Sequence, residues 1–366
     1  MKMRIGITTD IVDSSKYHKG VSYYIQYLVK NLAKVSEDEI YLIHSRNSDS
    51  EIYKLGLREI IISGSSSEFL KVLSNVSGRR FLKKMDVIHT TAPRIPYFPF
   101  YSIPNVKKIL TVHGLDLYIP DRWKARFCRT PRGWVQQRAL SLLFSKNRDN
   151  IDAFIAISNF LKRELTTHLK IPGEKIHVVY HGVDTKFKPL DIERQKIIIS
   201  DTPLPEIVEI YYKLRKRGIN HELVIFTKRG YGERAKHLVN HLNLQKYVHF
   251  AGHLPQEELI KLYNLAEVFV HLAGYESFGL TSLEAMACGC PVVVTNVGSL
   301  PEVISDAGVL LDFIDVEGFV DAVYEILTNK GVWDEMHKKG LKRAKKFSWE
   351  KTARETLQVY KHVFGE

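Results

Sequence analysis

The sequence predicts an α/β protein of two domains, each built on a doubly wound parallel sheet, that face each other across a cleft. A chain of 366 residues is longer than one hydrophobic core usually supports. Short β-branched runs alternate with amphipathic helical stretches from end to end, as in successive βαβ units. The alternation is interrupted once, at the charged, proline-containing stretch 186–195, which is therefore the candidate linker.

The first domain, residues 1–188, contains seven strand candidates, each a short apolar run bounded by polar or turn residues. They are 4–8, 40–43, 59–62, 86–89, 108–113, 152–157 and 176–180. Helices are expected between them, for example at 21–33 and 159–168.

The second domain, residues 189–346, repeats the alternation with six strand candidates. They are 196–200, 222–227, 247–251, 268–271, 291–295 and 309–311. Helices follow from Glu317 onward, the last at about 349–363. Open parallel sheets bind ligands in the crevice beyond the carboxyl ends of their strands, so the functional residues are expected in the loops there.

Composition restricts the function. Three cysteines give no disulfide framework and too few thiols for a structural zinc site, and no apolar run is long enough to span a membrane. A cytoplasmic, soluble protein is therefore expected. Residues 1–190 contain 31 Lys and Arg against 17 Asp and Glu, which suggests an anionic partner: nucleic acid, a phospholipid surface or a phosphorylated substrate. No nucleic-acid-binding motif accompanies the charge, so nucleic acid is disfavoured.

The strongest local signal is the run 274–292, which follows an apolar strand and opens a helix. Gly279 lets backbone approach a ligand, and the N–H groups of a helix start suit a diphosphate. Glu284, expected in the first turn, could accept hydrogen bonds from a ribose diol. The stretch from Thr281 to Glu284 also fits a capping box, and spacing alone favours that alternative. Glu276, in the preceding loop, has no obvious structural duty.

This run resembles the signature of family 4 of the retaining glycosyltransferases (glycosyl transferases group 1), in which two glutamates, here Glu276 and Glu284, are separated by seven residues. Stretch 284–292 resembles the family's Glu-Ala-Met-Ala-Cys-Gly-x-Pro-Val run. Other stretches agree in order and spacing, namely 19–21, 111–116, 152–158, 181–184, 296–303 and 347–349. The resemblance covers nearly the whole chain. It implies the GT-B architecture of two Rossmann-like domains, the first binding the acceptor and the second the nucleotide sugar, with segment 347–366 crossing back to the first.

The resemblance also implies roles for single residues. His113 would touch the donor sugar near the reaction centre, although a histidine ending a buried strand is often only a satisfied core residue. Glu276 would hold the sugar, Glu284 the ribose, and the 252–254 loop would flank the base. The implied donor-binding residues are Gly20, Gly252, His253, Leu254, Ser277, Phe278, Gly279, Leu280, Thr281 and Glu284.

The implied reaction needs no metal ion and no resident cofactor, because the donor, a GDP- or UDP-linked hexose of mannose or glucose type, is a substrate. The resemblance further implies same-face displacement, in which positioning and charge stabilisation carry catalysis. One departure from the family pattern concerns the cations that would stabilise the departing phosphate. The family has Gly-Arg and Lys-Gly after the first strand of the second domain, whereas stretch 197–205 lacks both cations. Lys228 and Arg229 are the candidate catalytic replacements, and a solvated turn is an equally good interpretation.

The acceptor is expected to be a glycan, a glycolipid or a polyprenyl-linked sugar. Residues 122–144 combine arginines, lysines and tryptophans with an apolar run, as suits contact with an anionic membrane at its cytoplasmic face. A helix with a solvated basic face is the slightly favoured alternative. Two other functions stay open: a nonhydrolysing nucleotide-sugar epimerase, which the signature disfavours, and a catalytically weakened GT-B subunit that supports a partner enzyme.

Overall fold

The computed structural model describes residues 2–13, 19–44, 50–62, 79–91, 100–115, 131–226, 232–313 and 315–365. The chain divides into two compact units. The first consists of Met1–Gly182 together with Trp349–Glu366, and the second is Val183–Ser348. Among the described helices, none has the length and apolar character needed to cross a bilayer.

The described part of the first unit contains a parallel seven-stranded sheet in the order β3-β2-β1-β4-β5-β6-β7. Its strands are β1 Arg4–Thr8, β2 Glu39–His44, β3 Arg58–Ile61, β4 Val87–Thr90, β5 Lys107–Val112, β6 Ala153–Ala156 and β7 Ile176–Val178. Its helices are α1 Asp10–Asp13, α2 Lys19–Val35, α3 Arg79–Leu82, α4 Pro131–Asn147 and α5 Asn159–Leu169. The strand order reverses between β1 and β4, so the loops after β1 and β4 flank the switch point at which such sheets bind ligands, and the loop after β5 is next to them.

The described part of the second unit contains a parallel six-stranded sheet in the order β10-β9-β8-β11-β12-β13. Its strands are β8 Ile197–Ser200, β9 Glu222–Phe226, β10 Val248–Gly252, β11 Val268–His271, β12 Val292–Thr295 and β13 Val309–Leu311. Its helices are α6 Pro205–Lys216, α7 Glu233–His241, α8 Gln256–Leu265, α9 Leu280–Ala287, α10 Leu300–Ile304, α11 Val316–Thr328 and α12 Lys330–Ala344. Here the order reverses between β8 and β11.

The last helix, α13 Trp349–Phe364, packs on α2 of the first unit, as predicted. Its buried side chains recur at three- and four-residue spacing, which gives the helix one apolar face. The ring of Trp349 stacks on that of Tyr27 with centroids 5.2 Å apart, and Tyr360 is fully buried.

All thirteen predicted strands are present, with ends that differ from the prediction by at most two residues within the described chain. The candidate linker 186–195 contains no helix or strand, but it is fixed to the second unit. The Arg194 guanidinium donates to the carbonyls of Tyr263 (3.1 Å), Ala266 (2.5 Å) and Cys288 (3.0 Å). A buried Asn264 accepts from the Leu190 N–H at 2.8 Å. These contacts give hydrogen-bond partners to a stretch whose backbone forms no helix or strand hydrogen bonds.

Candidate functional site

The loop between β11 and α9 is organised by Glu276. Its Oε1 accepts hydrogen bonds from the backbone N–H groups of Phe278 (3.2 Å) and Gly279 (3.0 Å). Gly279 precedes α9 with φ of 94°, and a Cβ there would lie 2.6 Å from Cδ2 of Leu300, so only glycine fits. The expectation that Glu276 has no structural duty is therefore wrong. The Glu276 carboxylate therefore already accepts hydrogen bonds from two of the backbone amides that the sequence suggested as phosphate donors.

The capping-box interpretation of α9 is also wrong. The helix begins at Leu280 with Gly279 at the N-cap, so Thr281 lies inside the first turn and cannot cap it. Its hydroxyl donates instead to Oδ2 of Asp201 at 2.8 Å. Glu284 falls in the second turn rather than the first, where its Oε2 accepts from the Tyr263 hydroxyl at 3.5 Å.

Burial changes the chemistry of Glu284. Removal from water is the main cause that raises its pKa to about 8; the Tyr263 hydroxyl opposes the rise, and the carboxylates of Asp201 and Asp184 add to it. Near neutral pH the protonated form of Glu284 therefore predominates in the unliganded protein. A ribose diol that donates two hydrogen bonds would require the ionised form.

Sequence reasoning missed a charged pair beside Glu276. Asp201 follows β8 and His271 ends β11, and the pairing of Ser200 with Val270 makes these strand ends adjacent. Oδ1 of Asp201 lies 2.7 Å from Nδ1 of His271, and Nε2 of His271 lies 3.7 Å from Oε2 of Glu276. Asp201, His271, Glu276 and Thr281 are called the histidine–carboxylate cluster below. The departure from the family pattern at 197–205 was the available signal for Asp201.

The three ionisable groups of the histidine–carboxylate cluster stabilise one another's charges. Burial alone would lower the pKa of His271, but the carboxylate of Asp201, assisted by Glu276, raises that pKa to about 10. Burial opposes ionisation of Asp201 and Glu276, yet the imidazolium keeps the pKa of each carboxyl below its ordinary value. The cluster thus contains one cation between two anions at neutral pH.

The loop after β12 fixes the backbone of Glu276. The N–H and the hydroxyl of Ser299 donate to the Glu276 carbonyl at 3.0 Å and 3.2 Å. Gly298 has φ of 62°, and a Cβ on it would lie 2.0 Å from the same carbonyl oxygen. A glycine is required here because two backbone segments touch.

Of the remaining donor-site residues of the second unit, one lies beside this cluster, three lie apart from it and two lie outside the described residues. Gly252, His253 and Leu254 end or follow β10, at the same sheet edge but three strands from β11, which is about 14 Å at ordinary strand spacing. Ser277 lies in the loop that Glu276 organises. Lys228 and Arg229 lie outside the described residues.

His113 of the first unit directly follows β5. Its Nε2 lies 2.9 Å from the carbonyl oxygen of Thr91, and a carbonyl only accepts, so Nε2 carries the proton. Burial lowers the pKa of His113 to about 4, which keeps the ring neutral and leaves Nδ1 as an acceptor. The ring packs edge-on against Tyr24 at 4.8 Å, one turn of α2 beyond Gly20. A Cβ on Gly20 would meet nothing within 4 Å.

A buried hydrogen-bonded chain that the sequence did not indicate lies beneath His113. Nδ1 of His89 is 2.7 Å from the Tyr360 hydroxyl, and Nε2 is 2.7 Å from the Thr111 hydroxyl. Thr111 in turn pairs with the Tyr24 hydroxyl at 2.9 Å. The chain connects α13, β4, β5 and α2, and burial lowers the pKa of His89 to about 3, so its ring stays neutral.

Comparison with known families gives two matches that together span most of the chain. Residues 18–187 match Glycosyltransferase Family 4, and residues 204–347 match Glycosyl transferases group 1. The first match falls in the first unit together with the start of the second, and the other falls within the second unit.

Among curated relatives, O-antigen chain mannosyltransferase B of Escherichia coli is 37% identical over 372 residues, covering 93% of this chain and 96% of that protein. The MMP alpha-(1->4)-mannosyltransferase of Mycolicibacterium hassiacum is 29% identical and covers 66% of this chain and 60% of the relative. Among solved structures, a Thermosynechococcus elongatus sucrose-phosphate synthase aligns with a TM-score of 0.78 at 19% identity, covering 99% of both chains. A Rickettsia africae glycosyltransferase aligns with a TM-score of 0.76 at 19% identity, covering 100% of this chain and 99% of its own. These two share the fold.

Proposed function

The chain belongs to the glycosyltransferases that join a Glycosyltransferase Family 4 domain to a Glycosyl transferases group 1 domain, and we propose that it is a retaining mannosyltransferase. It transfers the sugar from a GDP- or UDP-linked donor to a glycan, glycolipid or polyprenyl-linked acceptor. The observation that carries the proposal is the 37% identity to an O-antigen chain mannosyltransferase over 93% of the chain. That likeness favours mannose over glucose and a transferase over an epimerase.

The donor is assigned to the second unit. Ionised Glu284 accepts from the ribose hydroxyls, and the carboxylate of Glu276 accepts from hydroxyls of the transferred sugar. The amide of Leu280 donates to the phosphates at the start of α9, while the amides of Phe278 and Gly279 hold Glu276. Gly252, His253 and Leu254 flank the base. These assignments are supported by the seven-residue spacing of the two glutamates and by their common place at the carboxyl edge of the sheet.

The acceptor is assigned to the first unit. The acceptor oxygen attacks the anomeric carbon of the donor on the face from which the phosphate departs, and the leaving phosphate oxygen takes the acceptor's proton. Nδ1 of His113 accepts from a hydroxyl of the donor sugar, and Gly20 lets backbone come close to the diphosphate. Protein groups rather than a metal ion stabilise the departing charge, with Lys228 and Arg229 as the proposed cations.

A second candidate, a weakened subunit that binds donor without turnover, is favoured by one observation. Within the described part of the second unit, the histidine–carboxylate cluster places Asp201 where the family has a cation, and its single imidazolium faces two carboxylates. A diphosphate meets no net positive charge there.

Contact with an anionic membrane at the cytoplasmic face is proposed for residues 122–144, of which 122–130 lie outside the described residues and 131–144 belong to α4. The exposed Leu142 on α4, with 64% of its surface accessible, supports it. Sedimentation with phosphatidylglycerol vesicles tests this contact: the protein should pellet with them and stay in solution with phosphatidylcholine. Equal behaviour with both lipids contradicts membrane contact.

The deciding experiment measures transfer from a panel of GDP- and UDP-linked mannose and glucose, with and without EDTA, to mannose-terminated and lipid-linked acceptors. We expect transfer from one mannose donor, unaffected by EDTA, with an α-linked product by NMR. The matched variant Glu284→Gln should bind the donor more weakly than the wild type. Saturable donor binding without transfer supports the weakened subunit instead, and absence of binding by every nucleotide sugar overturns both candidates.

A further inference from the structure

The histidine–carboxylate cluster differs from an ordinary buried ion pair, and the same sheet provides the comparison. His221, immediately before β9, pairs with Glu267 through a contact of 2.6 Å at the amino edge of the sheet. Its side chain is as buried as that of His271, at 7% and 8% exposure. The difference is in the second contact: His271 also lies against Glu276 at 3.7 Å, at the carboxyl edge where ligands bind.

The two ring nitrogens of His271 make different contacts. Nδ1 is fixed by Asp201 at 2.7 Å, and the other oxygen of Asp201 is fixed by Thr281 at 2.8 Å. Nε2 has no hydrogen-bond partner among the described residues and points to Oε2 of Glu276 beyond hydrogen-bond distance. Glu276 Oε1 is meanwhile held by two amides. The imidazolium is therefore anchored on one side and acts on Glu276 by charge on the other.

We propose that Asp201 and His271 are a positioning pair that keeps Glu276 ionised and oriented to accept hydrogen bonds from the transferred sugar. The inference rests on the proposed function, because it takes the sugar as the ligand of Glu276. It assigns the pair no direct contact with substrate. The pair also explains why Asp201 can lie at the end of a strand in the donor site, because the imidazolium of His271 offsets its negative charge.

The ionisable groups around the cluster are few among the described residues. Asp201 and Glu276 act on His271, and His271 and Asp201 act on Glu276. From α8 and α9, Tyr263 and Glu284 face Asp201, and both have pKa values raised by burial, so they are neutral near pH 7. Removal of His271 thus leaves Glu276 beside Asp201 with no described cation, and the pKa of Glu276 rises.

The test compares the affinities of GDP-mannose and GDP from pH 4.5 to 8 by titration calorimetry, because their ratio isolates the sugar contribution. If the donor panel selects another nucleotide, that donor and its diphosphate replace them. In the wild type the ratio should be flat above pH 5. In His271→Asn, which retains a donor toward Asp201 but lacks the charge, the ratio should fall toward one on the acid side, with a midpoint at least about one pH unit above the wild type's.

His221→Asn is the matched control, since it breaks an equally buried pair at the opposite edge and should leave the pH profile unchanged. If His271→Asn does not fold, Asp201→Asn replaces it: ¹⁵N-histidine NMR should then show His271 losing its proton at a lower pH than in the wild type, where it stays charged to about pH 9. A wild type that binds neither ligand rejects the proposed function. The positioning pair is rejected if His271→Asn has the same pH profile of the affinity ratio as the wild type. It is also rejected if the His271 signal titrates in Asp201→Asn as it does in the wild type.

Discussion

Nε2 of His113 donates to the carbonyl oxygen of Thr91 across 2.9 Å, and this bond fixes which nitrogen of the ring can serve a ligand. His113→Gln keeps an N–H donor for Thr91 and removes the Nδ1 acceptor. We expect kcat for transfer to fall about 100-fold, as when one preorganised polar contact is removed, with an unfolding midpoint close to that of the wild type. His177→Gln, on β7 of the same unit, is the control. A full-activity, destabilised His113→Gln would show that His113 is only a core residue.

Donor affinity should depend on pH through Glu284. Its folded pKa of about 8 means that binding through the ionised carboxylate must first release a proton at pH 7. The dissociation constant of the donor should therefore decrease as pH rises from 6.5 to 8.5 and level off above that, by up to tenfold per pH unit where the group is protonated. Calorimetry in buffers of different ionisation enthalpy should also detect the proton released. In Glu284→Gln both effects should vanish; a flat profile in the wild type contradicts this role.

Substitution of Gly298 should disturb Glu276 through the backbone. Gly298→Ala combines an unfavourable φ of 62° with a Cβ placed 2.0 Å from the Glu276 carbonyl oxygen. The strained φ costs about 1–2 kcal/mol, and the overlap adds about 1–3 kcal/mol. Gly252→Ala is the matched control, because its φ of 70° is equally unfavourable but its Cβ meets nothing within 4 Å. Equal unfolding midpoints for the two variants would disprove the backbone clash.

The buried chain beneath His113 should contribute to stability through Tyr360. Tyr360→Phe leaves one nitrogen of His89 without its hydroxyl partner in a site that water does not reach. Chemical denaturation should show a loss of about 1–3 kcal/mol. Tyr212→Phe, on a partly exposed stretch of α6, should change stability by less than about 0.5 kcal/mol. If Tyr360→Phe is as stable as the wild type, the hydroxyl makes no net contribution.

The fold was largely predictable because its signals are local. The run of β11 is buried throughout, as expected for an interior strand of a parallel sheet, so its existence and limits follow from the residues themselves. The spacing of Glu276 and Glu284 is likewise a property of the chain. The structure confirmed the strands, and it overturned the capping box because Thr281 met a partner 80 residues away in Asp201.

By itself, the sequence determined the thirteen strands, the strand-to-helix loop that contains Glu276, and the amphipathic helix that closes the chain. Tertiary structure alone decided that Asp201 and His271 meet, 70 residues apart. Hydrophobic periodicity shows that β8 and β11 are strands but does not show that they are neighbours, because sheet order depends on how the intervening helices pack. That packing also determines the charge of His271 and the protonation of Glu284. It likewise brings the Glu276 carboxylate to the amides of Phe278 and Gly279.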